Sequence, residues 1–417
     1  MKDIQMLISI IIPSRNCLTY LKYAIQTVIT QNYEDYELLV SDNYSDDGTW
    51  EYLQTIQHPR VRIMQPPKIC SMAGHYEWLL TQTKGDWITI VGSDDGVQPY
   101  FFHLADNLIK LANTYNIKVI NAERAYYFWQ DGLWENLQTS YIAYPTFTIR
   151  NSGKEFLSTM LTTQGYFSLP QIYAGSLVHR DIIQQIKEKQ NGKFYNDAIP
   201  DAYGAAALAS IKADYIHSNV PLIWVGTSAQ SNGSGVSKKH KQDFYLQIKR
   251  EDLSFHPLLR HIKYGKIIDA ITLWMWEAML NAQQLQDQQT RRFYQSRFCQ
   301  YLATATMLRE MRSYTPTQPH KQQKQMFCSL VRQNKLSLCL VVSLSYILGL
   351  YRKRFFQRAL RKIMRILGLC KYYKAQTFYN TSSEFQDMLE ASKHISNLTK
   401  PMWQHLDFAL SNTKTQS

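Results

Sequence analysis

No acidic side chain occurs anywhere between residues 311 and 383, although the same 73 residues carry 14 Lys and Arg. Paired metal-binding cysteines are missing too. The six cysteines, Cys17, Cys70, Cys299, Cys328, Cys339 and Cys370, never fall in a C-x-x-C spacing, which leaves no zinc or dithiol motif and suits reduced thiols. Glycine and proline number only 17 and 13 in 417 residues, too few for a fibrous or low-complexity chain. No long apolar run is present either. The uncharged, Leu/Val-rich stretch 336–351 would make a helix of about 24 Å against a hydrocarbon core of roughly 30 Å. It reads as a buried core helix or an interfacial hairpin before it reads as a span. The apolar run Leu7 to Pro13 lacks the basic flank, length and cleavage site of a secretory leader.

What is present is 45% hydrophobic residues and a formal net charge of +13, the composition of a folded protein with an anionic partner. The charge is local. Residues 1–310 hold 29 basic and 29 acidic side chains, and residues 384–417 hold 3 and 4. The whole excess therefore lies in 311–383. On a helical wheel Arg354, Arg358, Arg361, Lys362 and Arg365 share an arc of about 100°, with Phe355, Phe356, Leu360, Ile363, Met364, Ile366 and Leu367 around the rest. That is the pattern of a cationic helix lying in a membrane interface, so residues 336–374 are expected to meet an anionic membrane surface from the cytoplasmic side, as a peripheral contact. A solvated basic face on a packed helix is the plainer alternative. No nucleic-acid-binding signature accompanies the charge, and the body is neutral, so nucleic acid is not expected as a partner.

Three ranges follow: 1–240 as an α/β domain, 241–314 as a helical extension, and 315–417 as a basic helical region. In the first, Leu7–Pro13, Tyr36–Ser41, Val61–Met64 and Trp87–Val91 read as short buried strands. Helical patterns at Tyr20–Thr30, Thr49–Ile56 and Gly74–Thr83 separate them, which is the alternation of βαβ units. Ligands of such sheets bind beyond the carboxyl ends of the strands. Polar clusters fall there at Ser14–Asn16, Asp42–Asp47 and Ser93–Asp95. Adjacent carboxylates such as Asp94 and Asp95 suit Mg²⁺ or Mn²⁺ shared with substrate phosphates, whereas Asp46-Asp47-Gly48 reads as a plain turn.

The motifs Ile10-Ile-Ile-Pro-Ser-Arg-Asn16, Leu38-Leu-Val-Ser-Asp-Asn-Tyr-Ser-Asp-Asp-Gly-Thr49 and Gly85-Asp-Trp-Ile-Thr-Ile-Val-Gly-Ser-Asp-Asp95, in this order and spacing, resemble those of the family 2 glycosyltransferases over about residues 7–235. The resemblance implies a GT-A fold, with a mostly parallel sheet flanked by helices and here a helical C-terminal region. It implies a nucleotide-sugar donor and a glycan or lipid-linked acceptor. By the same resemblance Pro13, Ser14, Arg15 and Asn16 form the first nucleotide-contacting turn, and Asp42 accepts a hydrogen bond from the base. Asn43 replaces a common aspartate. Asp94 contacts the diphosphate, and Asp94 and Asp95 hold Mg²⁺ or Mn²⁺. Gly92 stands where many members carry a further aspartate. The family's catalytic base, which sits at a helix start, falls on Asp197 or Asp201. Pro200-Asp201 directly before the Ala-rich helix favours Asp201, and the implied transfer is inverting.

Four further readings complete the set. Ser228 to Ser237 is either a lid or an ordinary loop. His179-Arg180 is either an acceptor or phosphate contact or, more plainly, a surface turn before a helix. Tyr126 to Trp129 is a candidate sugar platform or core. A non-catalytic nucleotide-sugar-binding protein is the alternative to an enzyme.

Overall fold

The computed structural model describes residues 6–131, 139–142, 145–162, 165–231, 271–313, 327–332, 334–351, 376–379, 385, 387–411 and 413–415. The cationic wheel 352–367 and residues 232–237 of the Ser228–Ser237 loop lie outside them.

Strand β1 (Ile8–Ser14) is buried along almost its whole length. It lies between two parallel partners, so both of its faces are covered, and a continuous β-branched run is what that position requires. The partners are β2 (Tyr36–Asp42) and, beyond helices α1 (Leu18–Ile29), α2 (Thr49–Gln54) and α3 (Met72–Gln82), β4 (Trp87–Ile90). β3 (Val61–Met64) pairs with β2 at the sheet edge. The four strands and three helices foreseen in this part of the sequence are all present, with ends within about two residues.

The chain continues through β5 (Gly96–Val97), α4 (Phe101–Thr114), β6 (Val119–Ala122), β7 (Ala125–Phe128), β8 (Thr139–Ile142), β9 (Phe147–Asn151) and α5 (Ser152–Thr162). Then come β10 (Ser176–His179), α6 (Arg180–Lys189), α7 (Pro200–Ser210), β11 (Asp214–Ser218) and β12 (Ile223–Thr227). The helices α8 (Ile271–Asn281), α9 (Gln288–Gln295), α10 (Arg297–Ser313) and α11 (Leu338–Tyr351) follow. Strand β13 (Gln376–Tyr379), helices α12 (Met388–Thr399) and α13 (Leu406–Ser411), and β14 (Lys414–Thr415) end the described chain.

The main sheet has the order β14-β9-β11-β6-β10-β4-β1-β2-β3, and only β10, β9 and β14 oppose the common direction. A smaller sheet, β5-β12-β7, is built from the chain just after β4, β6 and β11. The α/β architecture is thus a mostly parallel sheet flanked by helices with a helical C-terminal region, as the resemblance implies.

Side chains of β1 alternate between two cores. Ile8, Ile10 and Ile12 face α1 and α4, whereas Ile11 faces α3, α5 and α7. The later helices join these cores. Leu273, Trp276 and Met279 of α8, Met307 of α10 and Val341 of α11 extend the core on the Ile11 side. Met388, Ala391, Ile395, Leu406 and Ala409 of the tail extend the other, and β14 pairs with β9. Burying a side chain such as Met388 contributes about 1.5–3 kcal/mol, so the tail is bound to the body by several such terms.

Among the described residues the five cysteines are free thiols. No described helix is long and apolar enough to cross a membrane.

Candidate active site

The register of β1 on β2 places Ser14 beside Asp42 at the carboxyl ends, and Asn43 N–H donates to Ser14 O at 2.8 Å. The turn after β1 needs a left-handed residue, and Asn16 supplies it at φ 52°. Its N–H donates to Ser45 Oγ at 2.8 Å, and its Oδ1 accepts from Asp46 N–H at 2.9 Å. Asp47 accepts from Leu18 N–H at 2.9 Å and so holds the start of α1, with Gly48 at φ +85° completing the turn. The Asp-Asp-Gly segment is a turn, as its composition indicates.

Asp42 is buried at the floor of this end and accepts from Ser45 N–H at 3.1 Å and Gln65 Nε2 at 2.9 Å. Asn43 makes a reciprocal pair with Cys70, donating Nδ2–H to its carbonyl at 2.8 Å and accepting its N–H at 3.1 Å. A carboxylate could make only the second of these bonds, which accounts for the amide here. In the first turn, Ser14 Oγ and Arg15 Nη1 are buried without a hydrogen-bond partner. Such atoms are uncommon in folded chains, and two on adjacent residues mark a place where a polar ligand is accommodated.

At the end of β4 the two carboxylates differ. Asp95, 1% exposed, accepts from Gly226 N–H at 2.7 Å through Oδ1, and from Gly92 N–H at 2.9 Å and Tyr173 O–H at 2.7 Å through Oδ2. Burial and the neighbouring Asp94 charge push its pKa up to about 7. Gly92 is required by this arrangement, because a Cβ there would lie 2.6 Å from Asp95 Oδ2. Asp94 is half-buried, and burial raises its pKa against the opposing pull of its Ser228 and Ser231 hydrogen bonds. Its Oδ2 accepts from Ser228 Oγ at 2.7 Å and from Ser231 Oγ, and its carbonyl accepts from Trp129 Nε1 at 2.9 Å. Gly226 closes over the same carbonyl, leaving a would-be Cβ only 1.7 Å from Asp94 O. Cys17 lies beside the pair, and burial together with the Asp94 charge pushes its thiol well above the usual range.

The donor set fits a cation in a limited way. No cluster of three His, Cys, Asp or Glu exists among the described residues, so an all-protein cage is absent there. Asp94 offers a carboxylate at the mouth, whereas Asp95, placed on the ion by the motif, has both oxygens engaged by the loop. One carboxylate combined with substrate phosphates and water is a usual Mg²⁺ arrangement.

Asp201 stands in the first turn of α7, whose preceding residue, Ile199, makes no side-chain cap. Its Oδ1 is buried without a partner, and burial pushes its pKa up to about 6 against the pull of the Arg124 charge. Asp197 has no such free oxygen: it accepts from Ile199 N–H at 3.1 Å and from Asn281 Nδ2 at 2.8 Å, tying α8 to this turn. Its pKa is also about 6, raised by burial. Tyr76 and Tyr173 stand between the two acidic groups, each pushed up by burial and by the charges of Asp201, Asp95 and Asp94.

Other expectations are redirected. Arg180 lies at the opposite end of β4, donating Nε to Gly85 O at 2.9 Å, so it cannot reach a phosphate in this cleft. His179 caps α6 by accepting from Asp181 N–H. Tyr127, Phe128 and Trp129 are buried, and Trp129 supports the Asp94 loop. Three groups with no sequence signal complete the site: Gln65, Tyr173 and Gly226. Ser228 and Ser231 belong to the loop already noted for its serines. The tail also reaches this region. Met388 Sδ lies 2.5 Å from where a Cβ on Gly96 would be, and Ser392 Oγ accepts from Trp224 Nε1 at 3.0 Å.

Comparison with known proteins bears on this geometry. The family model described as Glycosyl transferase family 2 matches residues 9–173. The chain is similar to UDP-Glc:alpha-D-GlcNAc-diphosphoundecaprenol beta-1,3-glucosyltransferase WfaP of Escherichia coli, with 29% identity over 21% of this chain and 36% of that protein. It is likewise similar to the chondroitin synthase of Pasteurella multocida, at 29% identity over 34% of this chain and 16% of that protein. The chain thus spans well under half the length of these relatives. Among solved structures, S. aureus TarS 1–349 in complex with UDP-GlcNAc aligns over 84% of this chain and 92% of its own, with 12% identity and a TM-score of 0.42.

Proposed function

We propose that this chain, whose residues 9–173 match the family model described as Glycosyl transferase family 2, transfers a sugar, with inversion, from a nucleoside-diphosphate donor to a glycan or lipid-linked acceptor. The observation that carries this reading is the buried, unpartnered Oδ1 of Asp201 in the same polar cleft as Asp94. In this reading Asp42 accepts the N–H of the base, and Ser14 and Arg15 offer their unpaired donors to the nucleotide. Pro13 and Asn16 shape that turn, and Asn43 holds its neighbour at Cys70. Asp94 contacts the diphosphate and holds Mg²⁺ or Mn²⁺ with it, while Asp95 positions the loop. When bound, the ion neutralises charge that develops on the leaving diphosphate. Asp201 takes the acceptor hydroxyl proton as that oxygen bonds to the anomeric carbon and the bond to the diphosphate oxygen breaks. Asp197 is the weaker candidate because both of its oxygens are engaged.

Calorimetry with a panel of nucleoside diphosphates tests the donor half. One of them is expected to bind with Mg²⁺ or Mn²⁺ and to weaken roughly tenfold or more in Asp42→Ala and Asp94→Ala. Equal binding by both variants contradicts the assignment.

The acceptor side of the reading rests on the membrane. WfaP acts, by its name, on a diphosphoundecaprenol-linked sugar, and a lipid-linked acceptor suits the basic stretch of this chain. Helix α11 supports this, because Val341 packs inward while Leu338, Leu340, Tyr346 and Ile347 are 49%, 54%, 63% and 59% exposed. The proposed location is therefore peripheral, at the cytosolic face of an anionic membrane, through 336–374. Wild-type protein is expected to sediment with vesicles containing phosphatidylserine and not with neutral ones. Leu340→Asp with Ile347→Asp should lower that binding about tenfold or more. Equal binding to neutral vesicles, or no loss in the double variant, counts against it.

A further inference from the structure

The strand-end cleft has two halves. The nucleotide half lies over β1 and β2, and the sheet order sets β6 and β11 on the far side of β4 and β10. Arg124 follows β6 by two residues, and its neighbour Glu123 is tied to the end of β11 by its N–H on Ser218 O at 2.8 Å. Its guanidinium lies over the Phe167 ring, 5.5 Å from the centroid. Phe167 is 37% exposed, so this stack is open at the surface of the cleft.

Arg124 is joined to the base helix through Gln171, which is almost fully buried. With its amide turned to satisfy both neighbours, Gln171 Oε1 accepts from Arg124 Nη2 at 2.7 Å and its nitrogen donates to the Asp201 carbonyl at 3.1 Å. The guanidinium is thereby fixed close to Asp201, and its charge partly offsets the burial that raises the pKa of that carboxyl. An arginine carries five N–H donors in a rigid planar fork. Only the Gln171 bond uses one of them among the described residues. A half-buried guanidinium fixed on a flat ring, with a free edge, is built for a bidentate oxyanion.

We infer that Arg124, stacked on Phe167 and held by Gln171, anchors an oxyanion of the acceptor and so sets the acceptor hydroxyl before Asp201. This rests on reading the cleft as a transferase site. The oxyanion is a phosphate, as in a lipid diphosphate carrier, or the carboxylate of an acidic sugar; both present paired oxygens to the fork.

The test uses the full chain in EDTA, so that no metal-held phosphate contributes, with inorganic pyrophosphate and glucuronate titrated separately by calorimetry. At least one is expected to bind, and Arg124→Ala should weaken it roughly tenfold to a hundredfold. Arg124→Lys should recover part of the loss. Arg60→Ala, which removes an arginine just before β3 at the end of the sheet away from the cleft, should leave the binding unchanged, which separates this site from general basic charge. Tighter pyrophosphate identifies a phosphate-bearing acceptor, and tighter glucuronate an acidic sugar. Arg124→Gln keeps the stem and serves if the alanine variant does not fold. The inference is overturned if neither oxyanion binds the wild type, or if the Arg124 variants bind as the wild type does. Metal-dependent nucleoside diphosphate binding, measured on the same proteins, should not change in the Arg124 variants. Its absence in the wild type would instead remove the transferase reading.

Discussion

Asp201→Asn is expected to reduce sugar transfer by roughly 10²- to 10⁴-fold while leaving nucleoside diphosphate binding intact. The amide keeps the shape of the side chain and loses the ability to take a proton. The same substitution is expected to raise thermal stability, and the sign follows from linkage. The folded-state pKa of Asp201, about 6, lies above its ordinary value of 3.8. Between these values the unfolded chain has released a proton that the folded chain still holds, so stability falls as pH rises through that window. Above pH 6 the folded protein carries the full cost of a buried carboxylate without a partner on Oδ1, and asparagine has no charge to bury. Turnover in the wild type should move the opposite way, falling as pH drops through about 6 and the base becomes protonated. A variant that is both inactive and more stable is the mark of a functional group held at the expense of stability. Differential scanning calorimetry beside a turnover assay checks both halves.

Gly92→Asp restores the acid that many family members carry at this position, yet it is expected to abolish metal-dependent nucleotide binding in this chain. A Cβ at residue 92 would meet Asp95 Oδ2 at 2.6 Å and Tyr173 Oη at 3.0 Å. The added carboxylate would also stand beside two others, of which Asp95 already has a raised pKa through burial and Asp94. Expelling Asp95 breaks its bonds to Gly226 and Tyr173 and releases the loop that presents Asp94. The expected binding loss is roughly a hundredfold or more, since several bonds to a charged group fail together. Gly92→Ala tests the steric part alone and should show most of the loss. Retained affinity in Gly92→Asp would mean that Asp95 is not held as described.

The first ninety-five residues were the most legible, for a physical reason. Strands buried on both faces of a parallel sheet must be continuous apolar runs, so β1, β2 and β4 announce themselves, and the polar residues that end them mark the cleft. Asp42, Asp94 and Asp201 stand out as candidates because each sits at a strand end or a helix start. Partners contributed singly from distant chain were not legible. Tyr173 and Gly226 reach Asp95 across 78 and 131 residues, and nothing in their local sequence records it. The antiparallel insertion of β10 between β4 and β6 was equally silent, since pairing direction leaves no local mark. His179-Arg180 could be read locally as a turn before a helix, which it is, whereas its place at the end of β4 away from the cleft is visible only in the fold. In the tail, Met388, Ala391 and Ile395 lie on one helical face, but the surface they cover belongs to residues three hundred positions earlier.

The most direct measurement of the central claim is turnover of a sugar-nucleotide panel by the purified full chain with Mn²⁺ or Mg²⁺, on vesicles supplying lipid-linked acceptors, with products weighed by mass spectrometry. One nucleotide sugar should be consumed, with its nucleoside diphosphate released in step with one sugar added to the acceptor, and both should vanish in Asp201→Asn. Tight binding of a nucleotide sugar without release or transfer across the panel would contradict the account, and would mark the protein as a nucleotide-sugar-binding module without the chemistry.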